Sequence, residues 1–324
     1  MSSWDDQDFF MRFRLQKSTV LMVLEIIRPD LDVDETRSRH ICPFVQLMIA
    51  LRFYALGSMQ IAIADFAGVC ISSVCRIIRR VSLALAKLRQ RFIMMPKTQD
   101  ELHTASRDFY AIARFPRTIG AIDCTHIKIQ SPGDNQAENY RNRKSWFSLN
   151  VQTVSSANLK VLNIVARWLG ASHDQHIFNS SLLKMQLEWG DFGHYLIVGD
   201  SGYRNTNYLA TPFLRCKTPF ETLYNESQIR TRNVVERSYG VMKRRFPVLA
   251  LGMRFKISTV QLVIVACAVL HNIAIDVKEE EPPTEIEGFE EMLVAIAVPG
   301  NANVERSTIG CVRDYLVQNY FSQL

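Results

Sequence analysis

The sequence predicts an α/β or α+β domain built round a mixed sheet and preceded by a helical region. Three observations lead there. Residues 1 to about 110 carry helical periodicity and little else; after "FPRTIG" the apolar period changes from helical spacing to alternation; and strand-like runs then follow one another with a helix-like run between them.

The helical region contains "GSMQIAIADFAGVCISSVCRIIRRVSLAL", with apolar side chains at Ile61, Ala64, Phe66, Val69, Val74, Ile77 and Ile78 and with Gly68 at a turn. A helix from about Met59, a short turn and a second helix capped near Ser72 or Ser73 is how a helix-turn-helix would be written, with Arg76, Arg79 and Arg80 along the second helix. A plain helical hairpin has the same pattern, so contact with DNA and simple packing both stay open. Next, "AIDCTHIKIQ" (121–130) alternates as a strand does, and "SLNVQTVSSANLKVLNIVARW" reads as two more strands turning at Ala157 and Asn158. "HDQHIFNSSLLKMQLEW" reads as helix and "YLIV" as a fourth strand. In "RTRNVVERSYGVMKRRFPVL", Val235, Tyr239, Met242 and Phe246 form the inner stripe of an amphipathic helix. The run "VQLVIVACAVLHNIAI" (260–275) has 16 residues, fewer than the roughly 20 needed to span a bilayer, and predicts a buried core helix.

Composition narrows the class. The chain has 324 residues, 48% hydrophobic and 22% charged, which excludes wholesale disorder. Its acidic start, "MSSWDDQDFF", lacks the basic and apolar regions of a secretory signal. Seven scattered cysteines without a C-x-x-C pair point to reduced thiols and away from a disulfide framework or zinc knuckle. The net charge of +6 is uneven. Residues 276–324 hold ten acidic against three basic side chains, a net −7, leaving +13 for residues 1–275. That excess predicts a polyanionic partner, most often nucleic acid. The expected organisation is a helical domain over 1–110, a catalytic α/β domain over 111–275 and an acidic, partly disordered tail over 276–324.

Three acids stand out. Asp200 ends the buried run "YLIV-GD", and burying a charge costs several kcal/mol unless something pairs with it. Asp123 sits in mid-strand, on one face with Ala121, Thr125 and Ile127. Glu236 lies at the rim of the helix stripe, with Arg232 and Lys243 on its side. Two strand aspartates and a helix glutamate, without a cysteine or histidine set, make an all-oxygen site for a hard cation such as Mg²⁺ or Mn²⁺. Two such ions can activate water and stabilise both oxygens of a phosphodiester exchange.

At this point "GAIDCTHIKI", "HDQHIF", "VGDSGY", "RNVVERSYGVMKRRFPVL" and "ACAVLHN", in that order over about residues 40–275, resemble the Harbinger transposase-derived nucleases of the PIF/Harbinger group. The resemblance implies an RNase H-like catalytic domain with a D-D-E triad of Asp123, Asp200 and Glu236. Thirty-five residues separate the last two. Arg204 stands where the family usually has proline. The resemblance further implies a DNA substrate, Asp123 bridging two metals with Asp200 and Glu236 holding one each, a separate Myb-like DNA-binding partner, and a location in the nucleus with the cytoplasm as a second compartment. Arg232, Arg237 and Lys243 are expected to contact phosphate, as are Arg141, Arg143 and Lys144 in the loop "RNRK". Asp174 is the rival for the second acid, since the family's motif includes it as well; it is taken as a support for the triad, and an Asp before a helix is also an ordinary cap. The competing expectation is a catalytically silent DNA- or chromatin-binding adaptor that retains the fold.

Overall fold

The structure is a computed structural model that describes residues 4–32, 41–133, 135, 137–282 and 312–324. Seven helices come first: α1 (Asp6–Phe13), α2 (Lys17–Leu31), α3 (Pro43–Leu56), α4 (Gln60–Ala67), α5 (Ile71–Lys87), α6 (Arg89–Phe92) and α7 (Gln99–Ala113). The strand β1 (Thr118–Lys128) follows, then β2 (Ser148–Ser155) and β3 (Val161–Leu169), α8 (Asp174–Asn179) and α9 (Leu182–Trp189). After these come β4 (Leu196–Val198), β5 (Leu209–Ala210), α10 (Pro219–Arg245), α11 (Val248–Leu251), α12 (Ile257–Asp276) and α13 (Val312–Asn319). The chain forms two compact units, one of Met1–Ile93, Ile127–Leu149 and Gly240–Ile296, the other of Met94–His126, Asn150–Tyr239 and Ala297–Leu324.

The first unit is helical. Its centre is α5, which buries Val74, Ile77, Ile78, Val81 and Leu85 against α3, α4 and α12. Helix α12 is long and apolar enough to cross a membrane by length and composition, but most of it is buried inside this unit, as a core helix is. Helices α4 and α5 meet at 99°, with Gly68 in the left-handed region (φ +63°) closing the first, which is the geometry of a helix-turn-helix. Arg76 and Arg79 face outward, while Arg80 donates to the Gln46 side chain at 3.0 Å.

The second unit holds most of the sheet, ordered β3-β2-β1-β4-β5. Parallel pairing of β1 with β4 and of β4 with β5, beside the β2–β3 hairpin, makes it the RNase H-like mixed sheet with flanking helices that the sequence predicts. One core cluster gathers Ile119, Ile122, Val154, Ile197 and Leu209 from the strands with Phe178, Leu183 and Leu187 from α8 and α9. Gly120 permits the β1–β2 approach, because a Cβ there would lie 2.5 Å from Val154 Cγ1.

Several details differ from the sequence reading. The helix expected over residues 173–189 is two helices, because Ser181 caps α9 through the Lys184 amide. Helix α10 starts well before the quoted stretch, at a capping box in which Thr218 Oγ1 accepts from the Glu221 amide and Glu221 accepts from the Thr218 amide. The units also cut across the boundaries expected at 110 and 275. Helix α7 belongs with the sheet because Leu102 sits in the sheet's core cluster. The expected tail does not hold for residues 312–324, which fold into the second unit with Phe321 against Phe115 and Tyr224. The acidic stretch over 283–311 lies outside the described residues.

Candidate active site

Strand register determines where the first two acids stand. Val198 of β4 pairs with Ala121 of β1 in parallel; Asp123 follows two residues further along β1, and Asp200 two residues further on, just past the end of β4. Asp123 Oδ1 accepts the Cys124 amide at 2.8 Å, and Asp200 Oδ1 accepts the Gly202 amide at 2.9 Å as the chain turns. Burial pushes the Asp123 carboxyl well above the usual carboxylate range, and the Asp200 charge pushes it further. Asp200 is likewise raised, first by burial and then by the charge of Asp174.

Asp174 therefore belongs to the cluster. It opens α8, and its Oδ1 accepts from Asn150 Nδ2 at 3.0 Å; the same amide nitrogen donates to the Ser172 carbonyl at 2.9 Å. The sequence reading gave Asp174 a supporting place, yet the field it exerts on Asp200 exceeds that of Glu236.

Helix α10 brings the fourth acid. Gln228 fixes the helix to the strand ends, donating to the carbonyls of Gly199 at 2.7 Å and Ala210 at 3.1 Å. One turn on, Arg232 Nη1 lies 3.7 Å from Asp123 Oδ2 and 2.8 Å from Glu236 Oε1. The side chains of Asp123 and Arg232 are 17% and 16% exposed, whereas that of Glu236 is 54% exposed, so Glu236 stands at the mouth of the cluster. A further turn along, the Tyr239 hydroxyl accepts from Thr153 and donates to the Asp123 carbonyl, both at 2.8 Å. This bond fixes the Asp123 backbone.

Among the described residues, no three His, Cys, Asp or Glu side chains form a ready-made metal cage. The donor chemistry nonetheless fits a divalent cation. The acids offer oxygen ligands alone, their mutual repulsion raises Asp123 and Asp200, and a bound cation would relieve it.

The basic residues expected at phosphate divide sharply. Arg232 is in the cluster, and Arg237 is exposed beside Glu236. Lys243 lies in the first unit, only 4% exposed, with burial lowering its ammonium to about 8, so it is not a surface contact for phosphate. Arg141 is engaged within its own loop, donating twice to Glu138 at 2.7 and 2.9 Å and lying 4.5 Å over the Phe147 ring. Arg143 and Lys144 are exposed in that loop, in the first unit. His176 meets the Trp168 ring edge at 4.8 Å, and His173 precedes α8. Sequence reasoning missed Asn150 and Gln228. Alternation sets Asn150 on the polar face of β2 with Gln152, opposite Leu149 and Val151, so it gave no signal; Asn150 is buried because β2 is buried on both faces.

Comparison with known proteins points to one family. Residues 122–272, which contain all four acids, match a family described as DDE superfamily endonuclease. The protein named "Putative nuclease HARBI1" of Homo sapiens is 28% identical over 274 residues, covering 84% of this chain and 78% of that one; its Rattus norvegicus counterpart is 29% identical over the same length. The Arabidopsis thaliana protein named antagonist of like heterochromatin protein 1 is 25% identical over 298 residues, covering 84% and 74%. No solved structure matches the chain.

Proposed function

Because this chain belongs to the DDE superfamily of endonucleases, among the nucleases derived from Harbinger transposases, we propose that it is a divalent-metal-dependent nuclease that hydrolyses DNA phosphodiester bonds. The observation that supports the reading is that Asp200 follows the strand paired with β1 and its charge acts on Asp123, both carboxyls being raised first by burial and then by a neighbouring carboxylate. In this reading Asp123, Asp200 and Glu236 would hold the Mg²⁺ or Mn²⁺ ions, with Asp174 completing the oxygen set. Such ions, when bound, bring the pKa of water toward neutrality and neutralise the attacking and leaving oxygens. The chain's own residues supply position. The Cys124 amide and the Tyr239 hydroxyl fix Asp123, the Gly202 amide fixes Asp200 and Asn150 fixes Asp174. Arg232 and Arg237 offer guanidinium groups to the phosphates flanking the cut, where a planar fork matches paired oxygens.

Linear duplex DNA incubated with Mg²⁺ tests the reading, with Asp200→Asn and EDTA as controls. Cleavage by the wild type alone is expected, reduced by about a hundredfold or more in the variant, as loss of a key electrostatic group commonly costs. Equal cleavage in both, or none in either, would favour the silent DNA-binding adaptor. Preference for RNA–DNA hybrids would move the substrate class. Nuclear location and a separate Myb-like DNA-binding partner are part of the same proposal, carried by the family resemblance; imaging of a tagged chain and pull-down with Myb-domain proteins test them.

A further inference from the structure

We propose that Arg232 is an exchangeable counter-cation, holding Asp123 and Glu236 together in the metal-free protein and turning to a DNA phosphate when a divalent ion enters. Metal loading and DNA binding would then reinforce each other. The inference rests on the metal-dependent nuclease reading and adds a coupling to it.

The geometry points to exchange because a single nitrogen, Nη1, approaches both carboxylates. Its contact with Glu236, at 2.8 Å, is an i,i+4 helix pair, and such pairs are weak. Its contact with Asp123, at 3.7 Å, is long for an ion pair, so the oxygen that a metal needs is loosely held. The Arg232 side chain is only 16% exposed, and its Nη1 occupies the carboxylate oxygens of Asp123 and Glu236 that a metal would need. Two cations competing for the same carboxylate oxygens repel each other, so arrival of a divalent ion weakens the hold on Arg232. Rotation about the long arginine stem would carry the group outward to solvent. A phosphate there offers the paired oxygens that guanidinium binds best. Thermodynamic linkage makes the effect reciprocal. Whatever factor metal adds to DNA affinity, DNA adds to metal affinity.

The test uses the full chain at pH 8. Mn²⁺ titrations followed by electron paramagnetic resonance give metal affinity, and fluorescence anisotropy of a short labelled duplex gives DNA affinity with and without Mn²⁺. Arg232→Gln is expected to bind Mn²⁺ about tenfold more tightly without DNA, the scale on which a charge within about 4–6 Å shifts a carboxylate. It is also expected to lose the Mn²⁺ dependence of DNA affinity. Arg232→Lys, which keeps the charge, should stay within about twofold of wild type in metal affinity, an outcome a purely structural role would not produce. Equal or weaker Mn²⁺ binding by Arg232→Gln would overturn the proposal. Should that variant not fold, the wild type decides: no gain in DNA affinity on adding Mn²⁺ would overturn it. Failure of the wild type to bind Mn²⁺, or undiminished binding by Asp200→Asn, would remove the underlying nuclease reading instead.

Discussion

Burial first, and the Asp174 charge second, hold the Asp200 carboxyl above its ordinary range. Unfolding returns it to about 4. Between those two values the folded chain binds more protons than the unfolded one, so the metal-free fold loses stability as pH rises through that window. Neutralising the side chain removes the loss. In EDTA, Asp200→Asn is therefore expected to melt above wild type at neutral pH, with the gap closing toward pH 4. Each 1 kcal/mol of relief would show as roughly 1–2 °C in a chain of this size. Added Mn²⁺ should raise the wild-type melting temperature and leave the variant nearly unmoved. Melting curves across pH check this, and a variant that melts below wild type at every pH would mean that Asp200 supports the fold. This conflict between charge and burial was legible in the residues, since "YLIVGD" drives an acid onto a buried strand end. Asp174 was legible as a support for the triad, but its partner Asn150, 24 residues away in sequence, was not.

Elements carry the site by holding these side chains in register. Helix α10 presents Gln228, Arg232 and Glu236 at four-residue spacing, and Gln228 fastens it to the ends of β4 and β5. The inner stripe of this helix could be read from periodicity, and Val235, Tyr239, Met242 and Phe246 are all buried. Its start at the Thr218–Glu221 capping box, and the two-residue β5, were missed because neither shows a period. Gly199 joins β4 to Asp200 where space is short. A Cβ there would lie 3.0 Å from Tyr203 Cδ2, 3.1 Å from Ile122 Cγ2 and 3.3 Å from Leu209 Cδ2. All three neighbours belong to the packed core, so Gly199→Ala must displace either them or the strand end. The expected result is a loss of about 1–3 kcal/mol in urea unfolding together with weaker Mn²⁺ binding. Unchanged metal affinity at reduced stability would show that the strand end stays in place while the core yields.

At the scale of the whole molecule, residues 312–324 are folded against the second unit's loops and helix. Averaged over residues 276–324, the composition is acidic and reads as a tail, and the average hides the aromatic pair Tyr320 and Phe321. Phe321 is buried in a cluster with Phe115 at 5.9 Å and Tyr224 at 5.5 Å, and Tyr224 also meets Phe213 at 5.4 Å. Arg313 lies 4.0 Å over the Phe213 ring and donates to the Pro212 carbonyl, and the Val312 amide donates to Thr206. These contacts tie the last thirteen described residues to the loops that follow Asp200 and to the first turns of α10, the helix that carries Arg232 and Glu236. The C-terminal segment thus belongs to the unit that bears the acids rather than trailing from it. Phe321→Ala is expected to cost about 3–5 kcal/mol in urea unfolding, the range for emptying a buried aromatic site. Because Tyr224 loses a ring neighbour at the base of α10, the variant should also bind Mn²⁺ more weakly even where it remains folded. Unfolding and Mn²⁺ titration of the two proteins side by side measure both effects, and a variant indistinguishable from wild type in stability would show that the segment rests on the unit without supporting it.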